Sequence, residues 1–202
     1  MENLVIRLEK HGDRRVVEEL TRAAFNTPDR IDRSKIDCPL EHYMVHQLRK
    51  RDGILDLNFV AEADGQIVGH IIYSHAHILR PDGSRVAVIN FDPFSVWPQY
   101  QRMGIGGALM KHSINEARRL GHGGILFFGH PEYYPRFGFV PASGFGITDR
   151  NGKSYPAFMA MELVPGYFAN ASGKFIESDI YNDDLNREDA KEYDKKFWEA
   201  HK

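Results

Sequence analysis

Between Gln101 and Leu109 the chain reads Gln-Arg-Met-Gly-Ile-Gly-Gly-Ala-Leu, three glycines in four positions where a β-rich run gives way to a helical period. Glycine has no Cβ, so a ligand can approach its backbone closely, and the first N–H groups of a helix have no partner within it. Such a turn is an anion cradle suited to a phosphate or pyrophosphate. Two better-known glycine motifs fail here. The dinucleotide fingerprint needs a third small residue where Leu109 stands, and the nucleotide P-loop needs Gly-Lys followed by Ser or Thr. His75 and His77 alternate on a strand and share a face, where two imidazoles could begin a zinc site, but no third ligand accompanies them and no metal is expected.

Several elements must position this turn. Leu4 to Leu8 alternates as a short strand, and from Asp13, a candidate N-cap, Val16, Val17, Leu20, Ala23, Ala24 and Phe25 form the apolar stripe of a helix. Asn26-Thr27-Pro28-Asp29 is read as its stop, and Glu41 to Arg49 as a second helix. The stretch between them is expected to be a substrate wall. Leu57–Glu62 and Ile67–Ile78 flank Asp64-Gly65, the strongest hairpin signal in the chain, and Val86–Val96 supplies a third antiparallel strand. A long helix from Ile105 to Leu120, ended by Gly121, leads to a buried strand at Gly124–Phe128. A helical crossover of this kind makes the strand parallel to its predecessor. Gly144–Thr148 and Ala157–Leu163 are expected as two strands around the turn Asp149–Gly152. A polar segment and a charged helix with Tyr193, Phe197 and Trp198 complete the chain as a lid or packing arm.

The 202 residues suit one domain, and 42% hydrophobic content supports a real core. Lys plus Arg number 26 against 28 Asp plus Glu, a net charge of −2, so a general nucleic-acid binder is not expected. Cys38 is the only cysteine, which excludes an intrachain disulfide. The first residues lack a basic segment leading into an apolar run, and no stretch is long and apolar enough for a membrane span. A cytoplasmic protein is expected, monomer or homodimer.

The run from Val96 to Leu109, with Pro98, Tyr100 and Gln101-Arg102-Met103-Gly104-Ile105-Gly106, resembles motif A of the GCN5-related N-acetyltransferase (GNAT) superfamily, Gln/Arg-x-x-Gly-x-Gly/Ala. Tyr134-Pro135-Arg136-Phe137-Gly138-Phe139 is similar to that superfamily's Tyr-x-x-x-Gly-Phe element. With Gly129-His130-Pro131-Glu132-Tyr133 before it, the chain looks most like the bacterial YhbS-type branch. The resemblance covers residues 3 to 165. It implies a mixed α/β fold, with a largely antiparallel sheet of six to seven strands splayed at a parallel pair and flanked by helices. The transferase domain would be 1–165, with 166–202 an extension packing on or beside it.

By the same resemblance, acetyl-CoA is the co-substrate and a small-molecule or peptide amine the acceptor. Backbone groups at Phe94 and Val96 would pair with the pantetheine amides. The amides of Gln101, Arg102, Met103, Gly104, Ile105, Gly106 and Gly107 would take the pyrophosphate. Tyr134 would be the general acid toward the leaving sulfur, as a phenol with pKa near 10 is protonated at neutral pH. Asn90 stands where some family members carry a glutamate base, and an amide cannot titrate. Asp92, His130, His75, His77 or an ordered water are the alternatives. A non-catalytic acyl-CoA-binding or regulatory module is the competing reading.

Overall fold

The computed structural model describes residues 3–199, apart from the side chains of residues 33 and 34; residues 1–2 and 200–202, the ends of the expected domain and extension, lie outside the described part. Five helices and nine strands are found among these residues. They are β1 (Leu4–Leu8), α1 (Arg14–Phe25), α2 (Pro28–Ser34), α3 (Glu41–Leu48), β2 (Gly53–Ala63), β3 (Gln66–Leu79), β4 (Arg85–Val96), α4 (Ile105–Arg119), β5 (Gly124–Phe128), β6 (Val140–Pro141), β7 (Ile147–Thr148), β8 (Phe158–Glu162), β9 (Gly173–Ile176) and α5 (Asp183–Glu199). The sheet runs β1-β2-β3-β4-β5-β8-β6, with β9 pairing β3 and β7. The β4–β5 pair is parallel, with Ile89 opposite Ile125, as the crossover through α4 requires. None of the described helices is long and apolar enough to cross a membrane.

The chain divides into two compact units, one of Met1–Ile72, Pro93–Leu109 and Asp179–Lys202, the other of Tyr73–Asp92 and Met110–Ser178. In the first, Leu4 pairs with Ala63 through to Leu8 with Phe59. The β2–β3 turn puts Asp64 at φ 50° and Gly65 at φ 79°, the two positive values that a two-residue Asp-Gly hairpin demands. Val17 of α1, Val45 of α3 and Val60 of β2 pack together. Asp13 stands at the N-cap position of α1, as expected, but its side chain makes no capping hydrogen bond to that helix. It closes the preceding 3₁₀ turn by accepting the Lys10 N–H at 2.7 Å, and Arg7 Nη1 donates to it at 2.6 Å, so a stronger cationic partner competes for the carboxylate. Helix α1 ends at Phe25, at the stop expected from Asn26-Thr27-Pro28-Asp29, but Pro28 also begins a further helix. It occupies the first turn of α2, where the missing N–H costs no hydrogen bond. Tyr43, Met44 and Leu48 of α3 are buried with Ile36, Cys38, Ile180 and Ala190 and form core. Helix α5 is tied down by Arg22 Nε donating to Asp194 Oδ1 at 2.5 Å, Tyr193 Oη to Glu18 Oε2 at 2.8 Å and Arg30 Nη1 to Asp183 Oδ2 at 2.7 Å.

In the second unit, Ile78, Val88, Leu126, Ile147, Phe158, Phe168 and Phe175 are core. The segment expected as a strand at Gly144–Thr148 is instead a 3₁₀ turn, Ala142–Phe145, followed by the two-residue β7. It forms no hairpin with β8. Asp149 Oδ1 accepts the N–H groups of Asn151 and Lys153 at 2.9 and 2.7 Å, closing the turn on itself, while β8 pairs with β5 and β6 and β7 joins β9 in parallel. Strand β9 had no signal strong enough to be read in the sequence. Gly173 admits it: a Cβ there would sit 2.4 Å from the Leu79 carbonyl oxygen.

Candidate functional site

The glycine turn is anchored on one side and open on the other. At the end of β4 the Trp97 N–H donates to the Val68 carbonyl at 3.0 Å and its indole N–H to that of Ile67 at 3.1 Å, fixing the exit of the strand. Arg102 at φ 63° and Gly104 at φ 87° then reverse the backbone into α4. Ile105 and Leu109 are buried, and this depends on Gly69 of β3. A Cβ at Gly69 would lie 2.9 Å from Leu109 Cδ1 and 3.1 Å from Ile105 Cγ2, so a glycine in the strand lets the helix mouth sit down on the sheet. The opposite face is bare. A Cβ added at Gly104 or Gly107 meets nothing within 4 Å, and Gln101, Arg102, Met103 and Gly104 are exposed. Helix geometry leaves the N–H groups of Ile105, Gly106 and Gly107 without helical acceptors, and Ala108 is the first to bond back, to the Gly104 carbonyl at 3.0 Å. An anion can therefore reach amides that carry the positive end of a fifteen-residue helix. Phe94 and Val96 are half-buried, and the Val96 carbonyl accepts Nε2 of the exposed Gln101 at 3.1 Å.

Tyr134 opens a 3₁₀ turn, Tyr134–Phe137, ended by Gly138 at φ 97°. Its ring is clamped by aromatics: Phe127 edge-on at 4.5 Å, Tyr133 at 5.0 Å, Phe91 at 5.8 Å and Phe139 at 5.9 Å. Among the described residues its hydroxyl makes no hydrogen bond. Burial, then the charge of Asp92, pushes the phenol well above its ordinary value, so it is a protonated donor at every physiological pH. The structure thus brings Asp92 and Tyr134 within electrostatic reach of one another.

His130 is exposed. Its contribution to this turn is its backbone carbonyl, which accepts the N–H groups of Tyr133 and Tyr134 at 3.0 and 3.4 Å. His75 is exposed, His77 is held below its ordinary value by burial and then by Arg85, and no group of three or more metal-ligating side chains occurs among the described residues.

Two residues here have roles that sequence reading did not give. Gly129 is named only within the run before Tyr134, yet a Cβ there would lie 2.3 Å from Tyr134 Cε2 and 2.4 Å from Phe127 Cε2. Gly129→Ala is expected to push the Tyr134 ring aside, at about 1–3 kcal/mol of stability, visible as a lower melting temperature and a perturbed tyrosine near-ultraviolet band. An unchanged melt and band would contradict this packing. The second is Glu177, whose Oε2 accepts Asn90 Nδ2 at 2.9 Å. The two are 87 positions apart, and nothing local in the sequence links them.

The chain thus has a mixed α/β fold with one parallel strand pair and a crossover helix whose mouth is open to an anion. A family model for the acetyltransferase (GNAT) domain matches residues 56–141. Over 101 residues it is 37% identical to the uncharacterized N-acetyltransferase YjhQ of Escherichia coli K12, a match spanning half of this chain and about half the length of that relative (50% and 51%). With the uncharacterized N-acetyltransferase YhbS of the same strain it shares 26% over 160 residues, covering 79% of this chain and 91% of YhbS. The crystal structure of Escherichia coli YhbS in complex with CoA superposes with a TM-score of 0.75 at 23% identity, over 89% of this chain and 92% of that one. A GNAT family acetyltransferase from Brucella melitensis, in complex with acetyl-CoA, gives 0.69 at 27% identity over 90% and 99%.

Proposed function

We propose that this chain is an acetyl-CoA-dependent N-acetyltransferase that passes the acetyl group directly to an amine acceptor, a small molecule or a peptide. The observation that carries the reading is the glycine turn at the mouth of α4, where a Cβ added at Gly104 or Gly107 meets nothing within 4 Å and the N–H groups of Ile105, Gly106 and Gly107 have no helical acceptor. The backbone from Gln101 to Gly107 is assigned the diphosphate, with Arg102 adding charge. Phe94 and Val96 are assigned the pantetheine amides, Gln101 releasing the Val96 carbonyl. The Brucella melitensis relative in complex with acetyl-CoA supports the co-substrate.

In direct transfer the amine lone pair attacks the thioester carbon and the carbon–sulfur bond breaks. Tyr134 supplies a proton to the sulfur as its negative charge develops, and no protein nucleophile is needed. No metal enters the scheme. Residues 1–165 are taken as the transferase domain and 166–202 as an extension. The chain is taken to work in the cytoplasm as a monomer or homodimer, without nucleic acid or membrane as partner.

Calorimetry with acetyl-CoA, followed by thiol release across a panel of amines, tests the reading. Heat of binding with no turnover on any amine would favour a non-catalytic acyl-CoA-binding module, and no heat at all would remove both. Gly107→Ala isolates the cradle. The substitution meets no atom in the protein and replaces a helical glycine, so stability should hold or rise by up to about 1 kcal/mol. Its Cβ would intrude on a bound diphosphate, and acetyl-CoA affinity should fall roughly tenfold, equivalent to about 1.4 kcal/mol. Equal affinity in the variant would place the diphosphate elsewhere.

A further inference from the structure

Strand β4 offers only an amide at Asn90, yet the fold brings a carboxylate to it. Asn90 is 2% exposed, its Nδ2 donates to Glu177 Oε2 at 2.9 Å, and its Oδ1 is buried without a partner. Glu177 directly follows β9, which pairs with β3 with Ile176 opposite His77. The pair thus presents a carboxylate and an unused carbonyl oxygen, two acceptors whose complement is a cationic donor such as an ammonium group. Asn90 and Asp92 are two apart on one strand, so their side chains leave the same face about 6.6 Å apart. Asp92 is also the charge that, after burial, acts most on the Tyr134 phenol. One face of β4 therefore relates the anchored Glu177 to the proposed acid.

We propose that Glu177, held in place by Asn90, is the general base that takes a proton from the ammonium form of the acceptor amine; this rests on the transferase reading above. Burial pushes the Glu177 carboxyl up to about 7, with Arg150 drawing it part of the way back. That places it where a base is most effective near neutral pH. The titratable and charged groups on the surrounding elements are Arg150, whose Nη2 donates to the Glu177 backbone carbonyl at 3.5 Å, Lys174 on β9, His75 and His77 on β3, Arg85 and Asp92 on β4, and Asp179 two residues on. Asn90 is a positioning residue.

The protons balance as follows. R–NH3⁺ gives one proton to the Glu177 carboxylate, and the freed nitrogen lone pair forms the new C–N bond. The C–S bond breaks with its electron pair on sulfur, which takes the Tyr134 proton. The phenolate recovers a proton from the nitrogen as the amide forms, and Glu177 releases its own to solvent. Amide, thiol and one proton result.

The test measures pH profiles of wild type, Glu177→Gln, Glu177→Asp and Asn90→Ala with acetyl-CoA and four acceptors: spermidine, glycinamide, kanamycin and O-methylhydroxylamine. The last is already unprotonated at neutral pH. Wild type should gain activity as pH rises through about 7 on the protonated amines, because the ionised carboxylate is the active form. Glu177→Gln should lose that rise and about a hundredfold in kcat on them, while keeping its rate on O-methylhydroxylamine and its affinity for acetyl-CoA. Glu177→Asp should recover the rise, and Asn90→Ala should shift it. A Glu177→Gln variant with an unchanged pH rise, or one that loses both amine types equally, overturns the base and leaves the transferase standing. Wild type that binds acetyl-CoA but acetylates none of the four overturns the transferase reading and the base with it.

Discussion

Tyr134→Phe is expected to lower turnover by about a hundredfold to a thousandfold while leaving acetyl-CoA affinity unchanged. The substitution removes one oxygen and nothing else. The ring contacts with Phe127, Phe91 and Phe139 at 4.5, 5.8 and 5.9 Å are those of a phenyl group, so the 3₁₀ turn should keep its place. The hydroxyl has no hydrogen bond among the described residues, so its loss strands no partner. What disappears is the donor. Burial and Asp92 hold the phenol above its ordinary value, so it stays protonated until a thiolate-like charge develops beside it. Stabilisation confined to that moment lowers kcat and kcat/KM together and leaves ground-state binding alone. Steady-state kinetics beside calorimetry would check this, and a variant with wild-type kcat would take Tyr134 out of the chemistry.

The second large effect concerns stability. Arg49 is 3% exposed at its side chain and lies between Glu9, also 3%, and Glu18, 8%. Its Nε donates to Glu9 Oε2 at 2.8 Å and its Nη1 to Glu18 Oε1 at 2.5 Å, while Asn58 Nδ2 reaches Glu9 Oε2 at 2.7 Å. Arg49→Met keeps most of the volume and deletes the charge, leaving two enclosed carboxylates to repel one another. The cost should be about 3–5 kcal/mol, a fall in melting temperature on the order of 10 °C for a chain of this size. Its pH dependence has a definite sign. In wild type Glu18 is held below its usual value by His46, Arg49 and Tyr193 against the opposing pull of burial. That stabilisation is present above the ordinary carboxylate range and fades as pH falls through the lowered value. In the variant the carboxylates are cheaper to protonate than to leave charged, so its deficit should shrink from pH 7 to pH 5. Thermal melts at both pH values would decide, and a loss of less than about 2 °C at pH 7 would show that the ion cluster contributes little.

Much of the scaffold was legible because its signals are local. Asp64-Gly65 specifies its turn through the φ values only such residues hold cheaply, and the period of Ile105, Leu109 and Ala117 marks the buried stripe of α4. The backbone of the glycine turn is equally local: Gly104 at φ 87° uses the freedom of a residue without a Cβ. Tyr134 was found through a motif, with no tertiary knowledge required.

Where helix and strand rules failed, a side-chain or tertiary partner had intervened. Asp13 has the chemistry of a helix cap, but Arg7 and the Lys10 amide claimed it. Strand β9 has little hydrophobic pattern of its own, and it exists because Gly173 lets it lie against β3. The packing roles of Gly69 and Gly129 emerge only when Leu109 and Tyr134 are seen to fill the space of their missing Cβ atoms. The amino-acid order by itself determined the glycine turn, the helix behind it and the order of β1 to β5, since each depends on dihedral preference or periodicity over a few residues. Only the tertiary structure decided which carboxylate stands at Asn90, how Tyr134 is packed and where Asp13 points. Those outcomes depend on burial and charge brought together by segments up to 87 positions apart, and no spacing rule reaches that far.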